Sequence, residues 1–254
     1  MATYLFFLIL LINLGVGIPL GMSGIAGFLL PLLYVGFLQL PLRDSLALSF
    51  FSFAVAGIIG AYSYWKSKNM DLRLALFISI GSIPGALFGV QLNVLIPEHI
   101  AELILYIFIF LSGLSLLLKK DTSSLNLQRS VLLENKILIL IIGLLTAAIC
   151  SLTGAGGPIL LVPLLTLLGL QIRIAVGVSL LNSVVIALPA MFGYFQYSSM
   201  ENLTLLIVAS LIGQIIGINI GAYFSNKIST NHLRIFITWI TLISSMYMIT
   251  RLFM

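Results

Sequence analysis

The chain has 254 residues, of which 61% are hydrophobic and 7% are charged, and its mean hydropathy is +1.21. Soluble domains carry about 25% charged residues, so a water-soluble fold is excluded and a polytopic membrane protein is indicated. The formal net charge of +5 comes from Lys and Arg at the ends of apolar runs. Membrane topology accounts for these residues without a nucleic-acid partner.

Eight apolar runs are long enough to span a bilayer, which takes about 17–25 residues. In chain order they occupy residues 4–20, 46–65, 72–96, 100–118, 137–152, 174–197, 203–224 and 233–249. No basic residue precedes the first run and no small-residue cleavage site follows it, which predicts a retained helix rather than a removable signal peptide. We therefore predict an all-α polytopic membrane protein.

Two shorter apolar runs, 28–40 and 159–170, each follow a glycine motif. SGIAGFLLPLL at 23–33 and TGAGGPILLVPLL at 153–165 are near copies of each other. Gly lowers helix propensity and Pro removes a backbone donor, so both are costly in a simple membrane helix. The same interruption in two corresponding places indicates a duplicated transporter with a broken helix at its binding site.

The two halves agree at further positions, which makes a chance resemblance improbable. The matching residues are Arg43 with Arg173, Ser49 with Ser179, and Gly81, Gly85 and Gly89 with Gly213, Gly217 and Gly221. We predict a first transmembrane repeat at 1–118, a polar connecting loop at 119–136 and a second repeat at 137–254, together forming one integral domain. Each repeat is expected to contain about four full transmembrane helices plus the short helix after its glycine break.

Loop charges predict that the repeats are inverted. Residues 66–73 hold three basic residues and one acid, net +2, whereas the equivalent residues 196–202 hold one acid, net −1. The next pair reverses the bias, because residues 97–102 hold two acids, net −2, and residues 225–234 hold two basic residues, net +2. Since cytoplasmic loops collect Lys and Arg, this pattern predicts oppositely oriented repeats, a cytoplasmic loop at 119–136 and both termini outside.

A helix that starts inside the membrane presents free backbone N–H groups and about half a positive charge, which suits an anion. The glycines permit close backbone approach, and we expect the hydroxyls of Ser23 and Thr153 to act as N-caps. Arg43 and Arg173, at the starts of equivalent helices, are expected to guide anions in from either face. The predicted substrate-binding residues are Ser23, Gly24, Gly27, Ser49, Ser52, Thr153, Gly154, Gly156, Gly157, Ser179, Asn182 and Gln214.

Two of these assignments have structural alternatives. The glycine motifs could form tight helix hairpins that bind nothing. The polar stripe of Ser49, Ser52, Ser179, Asn182 and Ser183 could hydrogen-bond neighbouring helices instead of lining a path. The GxxxG runs predict close helix packing, with Pro84 and Gln214 as interruptions that could line the path.

The acids also bear on the substrate. All seven carboxylates fall at span ends or in loops, so no buried carboxylate is predicted for a proton relay or a cation site. The single cysteine, Cys150, excludes an internal disulfide and a CxxC site and is interpreted as a small apolar residue. We predict an anionic substrate, no metal and no cofactor, while the oligomeric state is not readable from the sequence.

A competing motif suggests an enzyme. Gly21-Met22-Ser23-Gly24 matches the GxSG serine motif of rhomboid intramembrane proteases. A serine nucleophile needs a base within hydrogen-bond reach, and the only histidines, His99 and His232, lie at predicted membrane edges. The sequence therefore favours a non-enzyme, with an intramembrane serine protease using Ser23 as the alternative.

Four segments resemble the sulfite exporter TauE/SafE family of membrane permeases. They are GAGGPILLVPLLTLLGL at 154–170, IAVGVSLLNS at 174–183, SYWKSKNMDLRLAL at 63–76 and the GxxxG run at 81–89. The resemblance covers nearly the whole chain. It implies a multi-pass protein of the bacterial inner membrane that transports sulfite, organosulfonates or related small anions. The chain departs from the pattern in its first glycine motif, GIAG, where Pro31 comes two residues early, and at Ala47-Leu48-Ser49 in place of Gly177-Val178-Ser179.

Overall fold

The structure is a computed structural model that describes residues 2–24, 26–118, 130, 133, 135–198, 203–224 and 230–252, apart from several side chains that include those of Ser23 and residues 230–234. Within these ranges the chain forms ten helices and no strand. Their bounds are α1 Ala2–Ser23, α2 Ala26–Phe37, α3 Leu42–Lys66, α4 Leu72–Leu95, α5 Glu98–Leu118, α6 Lys136–Thr153, α7 Gly157–Leu167, α8 Ile172–Phe195, α9 Leu203–Phe224 and α10 Thr230–Leu252.

The all-α, polytopic prediction is confirmed. Seven of the described helices, α1, α3 to α6, α8 and α9, are long and apolar enough to cross a membrane. The two short apolar runs form the short helices α2 and α7, and the last predicted run lies within α10. Most of the predicted connecting loop lies outside the described residues, so the boundaries of the repeats stay a prediction.

The two short helices differ in regularity. Helix α7 is a continuous α-helix of 11 residues. Helix α2 begins with a 3-10 turn at Ala26–Phe28, continues as a single α-helical turn and ends with a π turn at Leu33–Phe37. Pro31 lies in the middle of α2, where it removes a backbone donor. π turns occur mostly as local features of helices and are frequent at functional sites.

The glycine stripe of α4 is its contact surface with α6. A Cβ atom added to Gly81, Gly85 or Gly89 would lie 2.1, 2.2 or 2.3 Å from the carbonyl oxygens of Leu140, Leu144 and Ala148 respectively. The backbones therefore approach more closely than any side chain allows. Pro84 on the same helix is exposed, so the structure does not support a role for it in lining an internal path.

The glycine stripe of α9 packs against α1 in the same way. A Cβ on Gly213, Gly217 or Gly221 would lie 2.4, 2.6 or 2.1 Å from the carbonyl oxygens of Leu10, Leu14 and Ile18 respectively. Since α1 corresponds to α6 and α9 to α4, the two close pairs are equivalent. Each joins a first helix of one half to the glycine helix of the other.

Helices α3 and α8, which are also equivalent, pack against each other in opposite directions. Gly57 of α3 faces Leu180 and Val184, whereas Tyr64, further along α3, faces Gly177 near the beginning of α8. Residue numbers therefore rise along α3 as they fall along α8. The midpoint of this antiparallel pair lies near Phe53, where the two helix breaks come together.

Helices α5 and α10 form a second antiparallel pair. Gly113 of α5 faces Thr241 and Leu242. Near the other end of the pair, Tyr106 and Arg251 line the same cavity. Both pairs of equivalent helices in direct contact therefore run antiparallel.

Candidate functional site

The second helix break depends on two glycines with different conformations. Gly154 has φ 69° and ψ 15°, the left-handed conformation that commonly ends a helix, and it follows the last residue of α6. Gly156 is the N-cap of α7 with φ 75° and ψ 147°, a region that is essentially restricted to glycine. No side chain caps α7, and Pro158 lies within its first two residues, where a missing donor is harmless. The predicted N-cap role of Thr153 is therefore wrong, because its hydroxyl instead donates to the carbonyl oxygen of Ile149 at 2.7 Å.

Three side chains stabilise the carbonyl groups around this break. The Tyr194 hydroxyl donates to the carbonyl oxygen of Ser151 at 2.7 Å, and the Asn93 amide donates to that of Leu152 at 2.8 Å. The Cys150 thiol donates to the carbonyl oxygen of Gly156 at 3.3 Å. Unpaired backbone groups are costly inside a membrane, so these residues replace the water that would satisfy a helix end. Sequence analysis missed all three roles and had given Cys150 only a packing role.

The first turn of α7 keeps donors that have no acceptor. Among the described residues, none accepts a hydrogen bond from the N–H groups of Gly157 and Ile159. These groups carry the positive end of the helix dipole. The break therefore pairs its carbonyl groups with side chains and leaves N–H groups free.

Both breaks line one small cavity. Its walls include Gly24 and Gly27 from the first break, Ala155 and Gly156 from the second, and Phe53 from α3. Its volume is about 20 Å³, close to the room that one water molecule needs. The structure thus brings three predicted residues, Gly24, Gly27 and Gly156, to one place.

The remaining glycines lie close to this cavity but face other neighbours. A Cβ on Gly157 would lie 3.3 Å from the Cα of Ser183, which itself lines the cavity. A Cβ on Gly154 would instead meet Leu46 and Pro31. The side chain of Ser23 lies outside the described residues.

Phe53 is a cavity residue that sequence analysis missed. A Cβ on Gly27 would lie 3.0 Å from the ring of Phe53, and one on Gly157 would lie 3.4 Å from the Cβ of Ser183. Gly27 and Gly157 are equivalent, as are Phe53 and Ser183, because both pairs have the same spacing as the two glycine motifs. The first half therefore places a phenyl ring where the second half has a hydroxyl. Aligning the halves at that fixed spacing would have revealed this position.

Most residues of the predicted polar stripe bond within the helix bundle. The hydroxyls of Ser49 and Ser179 are fully buried, and each donates at 2.7 Å to the carbonyl oxygen four residues back, at Ser45 and Ala175. Such bonds satisfy the hydroxyl inside its own helix. Neither residue lines the cavity described above.

Ser52 belongs to a buried network that joins four helices. Its hydroxyl oxygen lies 2.9 Å from Asn13 Oδ1 and 2.6 Å from the hydroxyl oxygen of Ser210. Asn13 Nδ2 in turn donates to the Tyr34 hydroxyl at 2.5 Å, in the π turn of α2. For Ser52, the structure therefore supports hydrogen bonding between helices.

Asn182 and Gln214 have unused hydrogen-bonding capacity. Both are fully buried. Asn182 Nδ2 and both amide atoms of Gln214 have no partner among the described residues, and Asn182 Oδ1 accepts only a long bond of 3.5 Å from Ser79. Buried polar groups without partners are costly and call for an explanation, such as a ligand or water. Neither side chain lines the small cavity in this conformation.

The two predicted guidance residues lie at opposite ends of the bundle, at the starts of the antiparallel helices α3 and α8. Arg43 is half-buried, donates to the carbonyl oxygen of Val94 at 3.2 Å and stacks over the ring of Tyr197 at 5.6 Å. Arg173 is exposed. Their role in guiding anions from either face stays a prediction.

Asp44 corrects the expectation that no carboxylate is buried. It lies in the first turn of α3, at a span end as predicted, yet it is only 1% exposed, and its Oδ1 atom has no hydrogen-bond partner among the described residues. Its place in that turn lets the helix dipole stabilise a negative charge. A carboxylate at the end of a membrane-spanning helix can therefore be buried.

The structure adds no support for a protease. His99 is exposed in the first turn of α5 and does not line the cavity between the breaks. The side chains of Ser23 and His232 lie outside the described residues. Among the residues that are described, no group of three His, Cys, Asp or Glu side chains could hold a metal ion.

Comparison with known proteins supports a transporter. The chain is 28% identical over 226 residues to the probable membrane transporter protein YdhB of Bacillus subtilis (strain 168), an alignment that covers 86% of this chain and 90% of that protein. It is 27% identical over 261 residues to the probable membrane transporter protein YjnA of the same organism, covering 95% and 98% respectively. No solved structure matches the chain significantly. The family model described as sulfite exporter TauE/SafE matches residues 9–248, and the chain therefore belongs to this family of membrane transporters.

Proposed function

We propose that this transporter carries a small anion, such as sulfite, an organosulfonate or a related sulfur compound, across the bacterial inner membrane. We place the anion between the starts of α2 and α7. The observation that carries this proposal is a pair of N–H groups in the first turn of α7 that have no acceptor among the described residues, beside a cavity shared by both breaks.

Electrostatics favour an anion at this place. The start of a helix carries about half a positive charge, and its N–H groups bind oxyanions directly. Among the described residues, no lysine, arginine, aspartate or glutamate lines the cavity. The backbone therefore supplies the attraction, and a substrate that binds there can also be released.

The cavity of about 20 Å³ is too small for an oxyanion with three or four oxygens. We therefore assign the structure to a closed conformation of this site. Phe53 occupies the space between the breaks, so loading requires its ring to move or the short helices to separate. Asn182 and Gln214, buried with free hydrogen-bonding capacity, would then become available to the substrate or its water.

We further propose that the repeats are inverted around this site. Direct contacts between equivalent helices support the proposal, because α3 runs antiparallel to α8 and α5 to α10, as a two-fold axis in the membrane plane requires. The sign reversal between equivalent loops supports the same arrangement. Inverted repeats usually place the substrate near the midplane at their interface.

The proposal is tested by transport in proteoliposomes with sulfite, sulfate, thiosulfate and taurine, using Gly157→Ala and the control Gly15→Ala. A methyl group at Gly157 would enter the first turn of α7, whereas a Cβ on Gly15 meets nothing within 4 Å. Alanine is preferred to valine at this position, because the Cα of Ser183 lies only 3.3 Å from the added Cβ. We expect Gly157→Ala to reduce anion transport about tenfold or more, equivalent to one lost charge-assisted hydrogen bond, and Gly15→Ala to transport normally.

Folding must be measured in parallel, by thermal unfolding of both purified variants. Wild-type transport by a folded Gly157→Ala protein would remove the helix-terminus site and leave the glycines as packing residues. Absence of transport for every anion by the wild-type protein would count against the substrate class.

A further inference from the structure

A second and larger cavity lies at the end of the bundle where α2 ends, α5 begins and α10 ends. Its volume is about 440 Å³, within the range of small-molecule sites. Its polar lining comes from Gln39, Glu98, Glu102, Tyr106 and Arg251, and the rest is mostly aliphatic. None of these residues takes part in the site between the helix breaks.

Arg251 provides a fixed positive charge in this cavity. In the orientation that satisfies its hydrogen bonds, the Gln39 side-chain oxygen accepts from both terminal nitrogens of the guanidinium group, at 2.6 and 3.1 Å. Gln39 has φ 55°, a left-handed conformation that is unfavourable in residues other than glycine. With the backbone in this conformation, the amide lies against Arg251. A guanidinium group has five N–H donors, so three of them have no acceptor among the described residues and can serve a ligand.

The negative charges of Glu98 and Glu102 are balanced to different extents by the surrounding residues. Glu98 accepts a hydrogen bond at 2.9 Å from the N–H group of Leu42, at the start of α3, where the helix dipole offsets part of its charge. Glu102 is half-buried and has no hydrogen bond or ion pair with any described residue. One carboxylate therefore remains free in the cavity.

Tyr106 lies between these charges. It is only 4% exposed and lines the cavity. Its hydroxyl makes no hydrogen bond with a described residue, although both Glu102 and Arg251 lie close enough to interact with it electrostatically. Because Tyr106 lines the cavity, its hydroxyl is available there as a hydrogen-bond donor to a ligand.

We propose that this cavity binds a small zwitterion. Its ammonium group pairs with Glu102, and its anionic group pairs with Arg251 and accepts a hydrogen bond from Tyr106. A simple anion would face the free carboxylate and a simple cation would face the guanidinium group, whereas a zwitterion satisfies both. The ligand is either a soluble zwitterion or the phosphoethanolamine headgroup of a lipid, because both carry these two charges a few atoms apart. The site does not depend on the proposed anion transport.

The test is calorimetric titration of the purified full-length protein with β-alanine and with two probes that each carry one charge, propionate and ethylamine. We expect β-alanine to bind at least about tenfold more tightly than either, since each charge-assisted contact contributes that much. Glu102→Gln should remove the preference for β-alanine over propionate, and Arg251→Gln the preference over ethylamine. Lys136→Gln, an exposed residue at the start of α6, should leave both preferences unchanged.

Thermal unfolding of each variant shows whether a loss of binding preference results from the changed cavity or from misfolding. Equal binding of all three probes, no binding of β-alanine, or unchanged preferences in folded Glu102→Gln and Arg251→Gln would overturn the proposal. Nanodiscs distinguish the two ligand sources. Loss of β-alanine binding in phosphatidylethanolamine but not in phosphatidylglycerol would identify the headgroup as the occupant, and equal binding in both would identify a soluble zwitterion.

Discussion

At the scale of single residues, Phe53 controls how much space the helix breaks enclose. Its ring lies against Gly27 and within ordinary contact distance of a Cβ on Gly156, at 3.4 Å. The equivalent residue in the other half, Ser183, leaves its own glycine free of a bulky neighbour. We therefore expect this side chain, which differs between the repeats, to limit the size of the cavity.

Replacing this ring should widen the range of substrates. We expect Phe53→Ser to enlarge the cavity and to raise transport of larger anions, such as thiosulfate or taurine, relative to sulfite in proteoliposomes. Loss of a buried phenyl ring should also lower the free energy of unfolding by about 3–5 kcal/mol. Phe88→Ser is the control, because Phe88 is 54% exposed on α4. A size profile identical to that of wild type would show that Phe53 does not limit the site.

Replacing Ser23 with alanine removes one oxygen atom and distinguishes a transporter from a serine protease. In a transporter, Ser23→Ala should weaken transport by no more than one hydrogen bond, about 1 kcal/mol or a few-fold in rate. A serine protease would lose its activity altogether, because the nucleophile is gone. Transport and cleavage of a membrane-embedded substrate should be assayed side by side. Proteolysis that disappears in Ser23→Ala would overturn the transporter assignment.

At the scale of helices, the glycine stripes act as packing surfaces. A Cβ on Gly85 would lie 2.2 Å from the carbonyl oxygen of Leu144, which is backbone and cannot move aside by itself. Gly85→Ala should therefore push α4 away from α6 and lower the free energy of unfolding by about 1–3 kcal/mol, measured by thermal unfolding in detergent. Gly15→Ala, which faces open space on α1, should be close to neutral. Equal stability of the two variants would contradict the packing role.

The sequence predicts those elements that are specified by a short, continuous stretch of residues. Apolar length identifies the membrane helices, and the paired glycine motifs identify the positions of α2 and α7. The stabilisation of the second break is not local, because Asn93 and Tyr194 reach its carbonyl groups from α4 and α8. The N-cap assignment of Thr153 failed because three residues, two of them glycines with positive φ, separate it from the start of α7 at Gly157. The burial of Asp44 likewise depends on neighbouring helices, so the residues that flank it in the sequence do not indicate it.

At the scale of the whole molecule, the halves share an architecture but not all of its internal bonds. Asn13 and Tyr34 join α2 to the rest of the first half, whereas the equivalent residues of the second half are Gly143 and Leu164. These residues cannot form that network. The repeats therefore have the same helix order but differ in the side-chain hydrogen bonds that join their short helices to the bundle.

The orientation of the repeats can be tested at two equivalent turns. Lys68 lies in the turn between α3 and α4, and Ser198 lies at the corresponding place between α8 and α9. In a Cys150→Ala background, which removes the single, buried cysteine, we expect Lys68→Cys to react with a membrane-impermeant thiol reagent only from the cytoplasmic side. Ser198→Cys should react only from outside, because antiparallel α3 and α8 carry these turns to opposite ends of the bundle. Labelling of both cysteines from one side would mean parallel repeats. The two helix breaks would then no longer be related by an axis in the membrane plane, and a shared site near the midplane would lose its symmetry argument.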